Sequence, residues 1–490
     1  MIYARAILFI KMHTAVTLFV LIFSIYLTSF NPNLESGDTL PASLLPFSIL
    51  EYHNLYLDHF TSCFQDIKPF PWMVKEIGGH YLSSYPIVTP TLITSIYIIP
   101  YMLLKLFSYP IDMMNPGFQL IVVVLEKVSA SMIAALSAAF VFLSLNRLVN
   151  KNAAIVTTLI YALATNTWAV SSQELWQHGS VELLLASMIY LILLNENAFS
   201  YKYIIISGIL SGLFLFNRPS DCILLLPIIF YMIYTKKLTY YIPSLLIASI
   251  PYLYYNLYYF NNIFGGYNSL ISEFGATNNS LGLLISPNRG LLIYSPITIL
   301  SLFGYFSIGK NIKNSKLKYV LLSYGLAVIM QILAYGQFAV WWGGGSYGPR
   351  FLIGLLPVLS IYIGIYIDKF IRPEVSQQKR MLFASLLIML LLWSIFAQIV
   401  GAFYYPNGNW NGYPKNVDMY PERLWYLNDT QIIRTFNAGP AIENPLKIIH
   451  KAYLYTNGIN SSFKKTTSIT EISLSKNWYE SEFWNDIPTQ

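Results

Sequence analysis

FQLIVVVLEKVSASMIAALSAAFVFLSLN, running from Phe118 to Asn146, is longer than it needs to be for any soluble helix, and its only charges are the adjacent Glu126 and Lys127. About 20 apolar residues cross the ~30 Å hydrocarbon layer of a bilayer, and this stretch exceeds that. Similar runs flank it near 8–29, 153–172, 180–195, 203–217, 221–235, 239–259, 289–308, 318–338, 351–367 and 381–401. The whole composition agrees. Of 490 residues, 55% are hydrophobic and 11% charged, with a mean hydropathy of +0.50. Soluble domains carry roughly 25% charged residues, so this chain cannot coat a water-facing surface of that size. The reading is an all-α polytopic membrane protein.

Charge placement sets the topology. The net charge is +7, but the basic residues punctuate apolar runs and form no stripe, which excludes nucleic-acid binding. If the amino terminus is cytoplasmic and the apolar run 85–107 does not span, the cytoplasmic loops hold 15 basic and 3 acidic residues. Letting 85–107 span would turn the lysine-rich loops outward, against the positive-inside rule. Pro86, Pro90 and Pro100 suit a broken helix at the outer interface. About eleven spans follow, with the amino terminus inside and the carboxyl terminus outside. Residues 1–401 form the transmembrane part, with 31–117 as an extracytoplasmic first loop carrying interfacial helices. Residues 402–490 form an extracytoplasmic segment with enough Trp to fold as a cap. The first run lacks a clean cleavage site after Leu27-Thr-Ser-Phe-Asn-Pro-Asn33, so a retained helix is expected. Two cysteines, Cys63 and Cys222, give no disulfide framework.

The polar candidates lie at outer ends of spans. Glu35-Ser-Gly-Asp38 follows the first span, and a carboxylate there can act as general base for a hydroxyl or help hold a divalent cation. Asp38 could equally cap a helix over Thr39–Leu50. Glu174 and His178, four apart in Gln173-Glu-Leu-Trp-Gln-His-Gly179, share a face if the helix 153–172 continues, and Trp176 between them could stack on a sugar. The alternative is an interfacial Trp–His anchor. Arg289 and Arg350 open two spans after loops rich in Gly or Pro. Arginine matches a phosphate bidentately, so the pair meets the criteria for a lipid-phosphate clamp, against snorkelling anchors. Gly343, Gly344, Gly345 and Gly348 would let backbone approach a ligand before Arg350. Arg218 beside Asp221 reads as a local ion pair. Lys127 and Glu126 stand as an intramembrane charge pair or a snorkelling one. His53, His59 and His80 match no ligand spacing, so the metal question stays open. His80 and Tyr347 complete the candidate substrate contacts.

In these patches, with Ser286-Pro-Asn-Arg-Gly290 and Trp341-Trp-Gly-Gly-Gly-Ser-Tyr-Gly-Pro-Arg350, the chain resembles a GT-C-fold membrane glycosyltransferase. The class is the broad one that contains protein O-mannosyltransferases and the lipid A aminoarabinose transferase. The resemblance implies that the acid of the first loop, here Asp38, is the catalytic base. The mannosyltransferases carry adjacent Asp-Glu, whereas two residues separate Glu35 from Asp38 here. The expected activity is inverting transfer of a sugar from a polyprenyl-phosphate-linked donor to a glycan, lipid or protein acceptor at the outer face of the plasma membrane. A transporter or flippase of lipid-linked sugars is the rival, and it would need polar residues facing a cavity at mid-membrane.

Overall fold

The computed structural model describes residues 2–31, 36–63, 72–267, 275, 278–372 and 375–442. In chain order the helices begin with α1 (Ile2–Thr28), α2 (Leu40–Phe47), α3 (Val88–Leu106), α4 (Pro116–Leu148) and α5 (Lys151–Leu163). They continue with α6 (Gln177–Asn197), α7 (Tyr201–Asn217), α8 (Leu226–Tyr234), α9 (Leu238–Phe260), α10 (Ser280–Ile285) and α11 (Leu291–Tyr294). The last are α12 (Leu300–Asn311), α13 (Ser315–Tyr335), α14 (Leu356–Ile371), α15 (Gln377–Phe403) and α16 (Gln431–Asn437). Every apolar run of the sequence falls on one or two of these.

Among the described residues six helices are long and apolar enough to cross a membrane: Val88–Leu106, Pro116–Leu148, Gln177–Glu196, Ser315–Tyr335, Arg350–Ile371 and Gln377–Phe403. Four shorter apolar helices accompany them. Burial separates centre from rim. The apolar window of Arg350–Ile371 is 89% buried and those of α4 and α6 are 72% buried, against 33% for α3 and α15. The rim presents Ile99, Leu106, Leu382 and Leu392 at 65–74% exposure, a surface that suits hydrocarbon and not water.

Local chemistry sets the ends. Asn115 caps α4 by accepting from Gly117 N and Phe118 N at 2.8 and 3.3 Å, with Pro116 at the first helical position. Asn150 caps α5 through Ala153 N at 2.9 Å. Gly208 and Gly212 let α7 and α9 pack backbone to backbone, since a Cβ at either would lie 2.5 Å from a carbonyl oxygen of α9, that of Tyr241 or Leu245. This is the small-residue spacing of helix pairs in membranes.

Three expectations need correction. The run 153–172 is not one helix: α5 stops at Leu163 and a π-turn covers Thr167–Ser171. Thr165 donates to the Tyr161 carbonyl at 2.6 Å and Thr167 to Glu182 at 2.6 Å, local and tertiary bonds that compete with helix continuation. The fold is not purely helical either. Val74–Ile77 (β1) and His80–Ser83 (β2) form an antiparallel hairpin with Ile77 opposite His80 and Val74 opposite Ser83. Gly78 and Gly79, at φ 61° and 83°, supply the two positive-φ turn positions that favour such hairpins. Finally, α3 is not a broken helix. It runs unbroken through Pro100, and length and apolarity place it with the other candidate spans.

Residues 404–442 fold against the bundle. Trp410 is 2% exposed and donates to the Asp429 carbonyl at 2.8 Å. The remainder of the expected cap, 443–490, lies outside the described residues, as does Glu35.

Candidate active site

The site starts from a short turn after α1. Ser36 accepts the Asp38 N–H at 3.2 Å and opens the 3-10 turn Gly37–Thr39. Ser36 is therefore the cap, and Thr39, which precedes α2, makes no side-chain capping bond. The Asp38 carboxylate is released from the capping role the sequence left open. Its Oδ1 accepts from Trp72 Nε1 and from the Tyr85 hydroxyl, both at 2.6 Å, and its Oδ2 accepts from Arg350 Nη1 at 3.1 Å. The Asp38 and Arg350 side chains are 17% and 13% exposed. A carboxylate offers about four lone-pair positions, so among the described residues three donors leave one position open on Oδ2, beside the guanidinium. Desolvation and the adjoining Asp38 push the Tyr85 hydroxyl well above its ordinary range, which keeps it a donor.

Arg350 is held flat by an aromatic wall. Its guanidinium carbon lies 4.2 Å from the centre of the Trp176 ring and 5.9 Å from that of Phe351. Among the described residues its only side-chain hydrogen bond is to Asp38, and its buried Nε has no partner. The Nε–Nη2 edge is thus the side of the fork that can take an anion. Gly343 keeps that edge open: at φ 78° it holds a left-handed conformation, and a Cβ there would come within 3.3 Å of Nε.

Arg289 does not join it. The side chain is 0% exposed, and all its donor groups meet protein oxygens. Nε donates to the Trp342 carbonyl at 3.3 Å. Nη1 donates to the Asn288 carbonyl at 2.7 Å and to Gln431 Oε1 at 2.9 Å. Nη2 donates to the Gly344 carbonyl at 3.1 Å and to Asn411 Oδ1 at 2.7 Å. The expected second half of the clamp is a structural knot with nothing left for phosphate. Arg289→Met should strand several buried acceptors and cost about 3 kcal/mol or more. Thermal unfolding in detergent should show a clearly lowered midpoint, and an unchanged midpoint would contradict the assignment.

The other candidates scatter. Glu174 is in the loop before α6 and His178 in the first turn of that helix, so the interruption after Leu163 removes the shared face. Glu174 lines a recess with Ser36, Gln173, Trp176, Ser346, Tyr347 and Tyr405 that adjoins the Asp38 turn through Ser36 and Trp176. His178 lies behind Trp176, ring centres 6.5 Å apart, and its Nε2 is 2.8 Å from Arg218 Nη1. Arg218 also pairs with Asp221 at 2.9 Å and donates to Tyr335 at 3.0 Å, the local ion pair expected, but 4% and 1% exposed and so buried. Tyr347 contributes only its ring to the recess, because its hydroxyl donates to the Ala397 carbonyl at 2.7 Å. His80 belongs to the hairpin, 2.7 Å from Asp58 and stacked on Tyr56, and no contact joins it to Asp38 among the described residues. His59 stacks on Tyr52. Lys127 does not snorkel; it is 4% exposed and donates to Gln173 Oε1 at 2.6 Å and the Ser172 carbonyl at 3.0 Å. Glu126 accepts from Leu175 N at 3.1 Å. Among the described residues no group of three or more His, Cys, Asp or Glu could hold a metal ion.

Several site residues escaped the sequence reading. Trp72 and Tyr85 reach Asp38 from just before β1 and from just before α3. Asp418 enters from the carboxyl-terminal segment, where it accepts from Trp342 Nε1 at 2.7 Å. Burial pushes its carboxyl upward, while the Trp342 bond and the charges of Arg289 and Arg350 pull it down. No local spacing announces these contacts, which join residues far apart in the chain.

No family model and no curated protein matches this chain. Solved structures do. The oligosaccharyltransferase AglB of the archaeon Archaeoglobus fulgidus, in complex with an inhibitory peptide and a dolichol-phosphate, aligns at 12% identity and a TM-score of 0.48, covering 89% of this chain and 62% of that one. The apo form of the Archaeoglobus fulgidus oligosaccharyltransferase aligns at 12% identity and 0.48, covering 88% and 61%. A form tethered to an acceptor peptide containing an NVT sequon gives 12% and 0.46 over 88% and 61%. The chain thus spans less than two thirds of that protein's length. At this identity and score the likeness transfers no residue role and no activity.

Proposed function

We propose that this chain is an inverting, GT-C-like glycosyltransferase that moves a sugar from a polyprenyl-phosphate-linked donor to an acceptor hydroxyl at the outer face of the plasma membrane. The observation that carries the reading is the Asp38–Arg350 pair: a carboxylate with one open lone pair beside a guanidinium with one open edge. The acceptor hydroxyl gives its proton to Asp38 Oδ2 as its oxygen bonds to the anomeric carbon. The bond from that carbon to the phosphate oxygen breaks, and its electron pair leaves with the lipid phosphate, held on the Nε–Nη2 edge of Arg350. A phosphate is a good leaving group, so no strong general acid is required. Trp72 and Tyr85 fix the carboxylate, and Trp176 fixes the guanidinium.

The function is tested by incubating protein in nanodiscs with lipid-linked sugars extracted from its own membranes and an acceptor fraction, and quantifying released polyprenyl phosphate. Release above that of Asp38→Asn protein supports transfer; equal release overturns it.

The outward orientation rests on the basic bias of the predicted inner loops, which requires that α3 not cross the bilayer, and it has its own test. In a background lacking Cys63 and Cys222, an impermeant maleimide applied to intact cells should label Leu427→Cys, a position 81% exposed, and not Lys313→Cys. Labelling of Lys313→Cys alone would invert the topology.

A further inference from the structure

Gln431, in the first turn of α16, is 0% exposed and sits where four segments meet. Its Oε1 accepts from Arg289 Nη1 at 2.9 Å, the Tyr294 hydroxyl at 2.7 Å and the Gly348 N–H at 3.0 Å. A guanidinium and a backbone N–H can only donate, so the amide orientation is fixed. The Nε2 group then donates to the Ser346 carbonyl at 2.9 Å and to Asn411 Oδ1 at 3.4 Å. The Gln431 N–H is itself tied to Asn288 Oδ1 at 2.7 Å.

Two of those partners belong to the loop that delivers Arg350. Gly348 adopts φ 64°, and its carbonyl accepts the Arg350 N–H at 3.0 Å. Two hydrogen bonds in series therefore lead from Gln431 through Gly348 to the backbone of Arg350. Arg289 holds the same loop further back, at the carbonyls of Trp342 and Gly344. The loop is glycine-rich, and much of its fixed shape comes from these outside partners.

We infer that Gln431 is a positioning residue for Arg350, and that the carboxyl-terminal segment is a working part of the lipid-phosphate site and not a separate cap. The inference rests on the proposed role of Arg350 in holding phosphate. A glutamate would not substitute, because a carboxylate would face the Ser346 carbonyl and Asn411 Oδ1, two oxygens that now receive N–H groups.

A double-mutant cycle on binding of polyprenyl phosphate in nanodiscs tests it. Gln431→Met should weaken binding about tenfold in the wild-type background and cause no further loss in Arg350→Ala protein, a coupling of the size seen between residues acting through one another. Equal losses in both backgrounds, or no loss in either, would overturn the positioning role. If Gln431→Met does not fold, Gln431→Glu enters the same cycle with the same two outcomes, because it loses both N–H bonds, to the Ser346 carbonyl of the Arg350 loop and to Asn411. Wild-type protein that binds no polyprenyl phosphate would overturn the proposed function and this inference with it. Normal wild-type binding with additive losses would overturn the inference alone.

Discussion

Asp38→Asn should leave the fold and lipid-phosphate binding in place while cutting turnover by roughly 10²–10⁴-fold, the usual share of a general base. The amide is nearly isosteric, and its oxygen can still accept from Trp72 and Tyr85. Its nitrogen would then face Arg350, where Oδ2 now accepts at 3.1 Å. The ion pair is lost, so the guanidinium is freer and phosphate binding should hold or tighten. That combination, lower turnover with undiminished donor affinity, separates a base from a structural acid. A cap would tolerate the change, because Asn and Asp rank together at that position, but Ser36 already fills it. Turnover near wild type would remove Asp38 from the mechanism and make Glu35 the next candidate.

Arg350→Ala should weaken binding of polyprenyl phosphate by about 100-fold or more, as expected when a buried charged hydrogen-bonding partner is removed. Arg350→Lys should lose far less. Lysine keeps the charge but lacks the planar fork and the flat face that now lies 4.2 Å from the Trp176 ring centre. Isothermal titration or fluorescence quenching with a polyprenyl phosphate would read both variants. Equal affinity in wild type and Arg350→Ala would move the clamp elsewhere, and Arg218 would then be the cation to examine. Arg289 would not, because protein oxygens already occupy it on every side.

The helical frame was legible in the sequence because long apolar runs have few alternatives in a bilayer. What was not legible depends on contacts between distant residues. Arg289 and Arg350 have similar surroundings in the chain: each follows a turn-forming loop and precedes an apolar run. Only the tertiary partners Gln431, Asn411 and Gly344 make one a knot, while Asp38 and Trp176 leave the other with an open edge. The pairing of Glu174 with His178 failed for a local reason that could have been read. Thr165, Asn166 and Thr167 interrupt an otherwise apolar run with residues whose side chains bond to backbone. The hairpin was also readable, from Gly78-Gly79 between two short strand-forming stretches, but the weight of apolar helices obscured it. Trp72 and Tyr85 could not have been assigned to Asp38 from spacing. The segments that flank the hairpin, before β1 and after β2, bring them there.

The central claim is that Asp38 and Arg350 form one catalytic centre on a lipid phosphate. The most direct measurement is an experimental structure of the protein with a polyprenyl phosphate bound. The phosphate should lie within hydrogen-bonding distance of Arg350 Nε and Nη2, with the open side of Asp38 Oδ2 facing the position of the departing sugar. A phosphate seated away from Arg350, with the Asp38–Arg350 pair undisturbed, would contradict it.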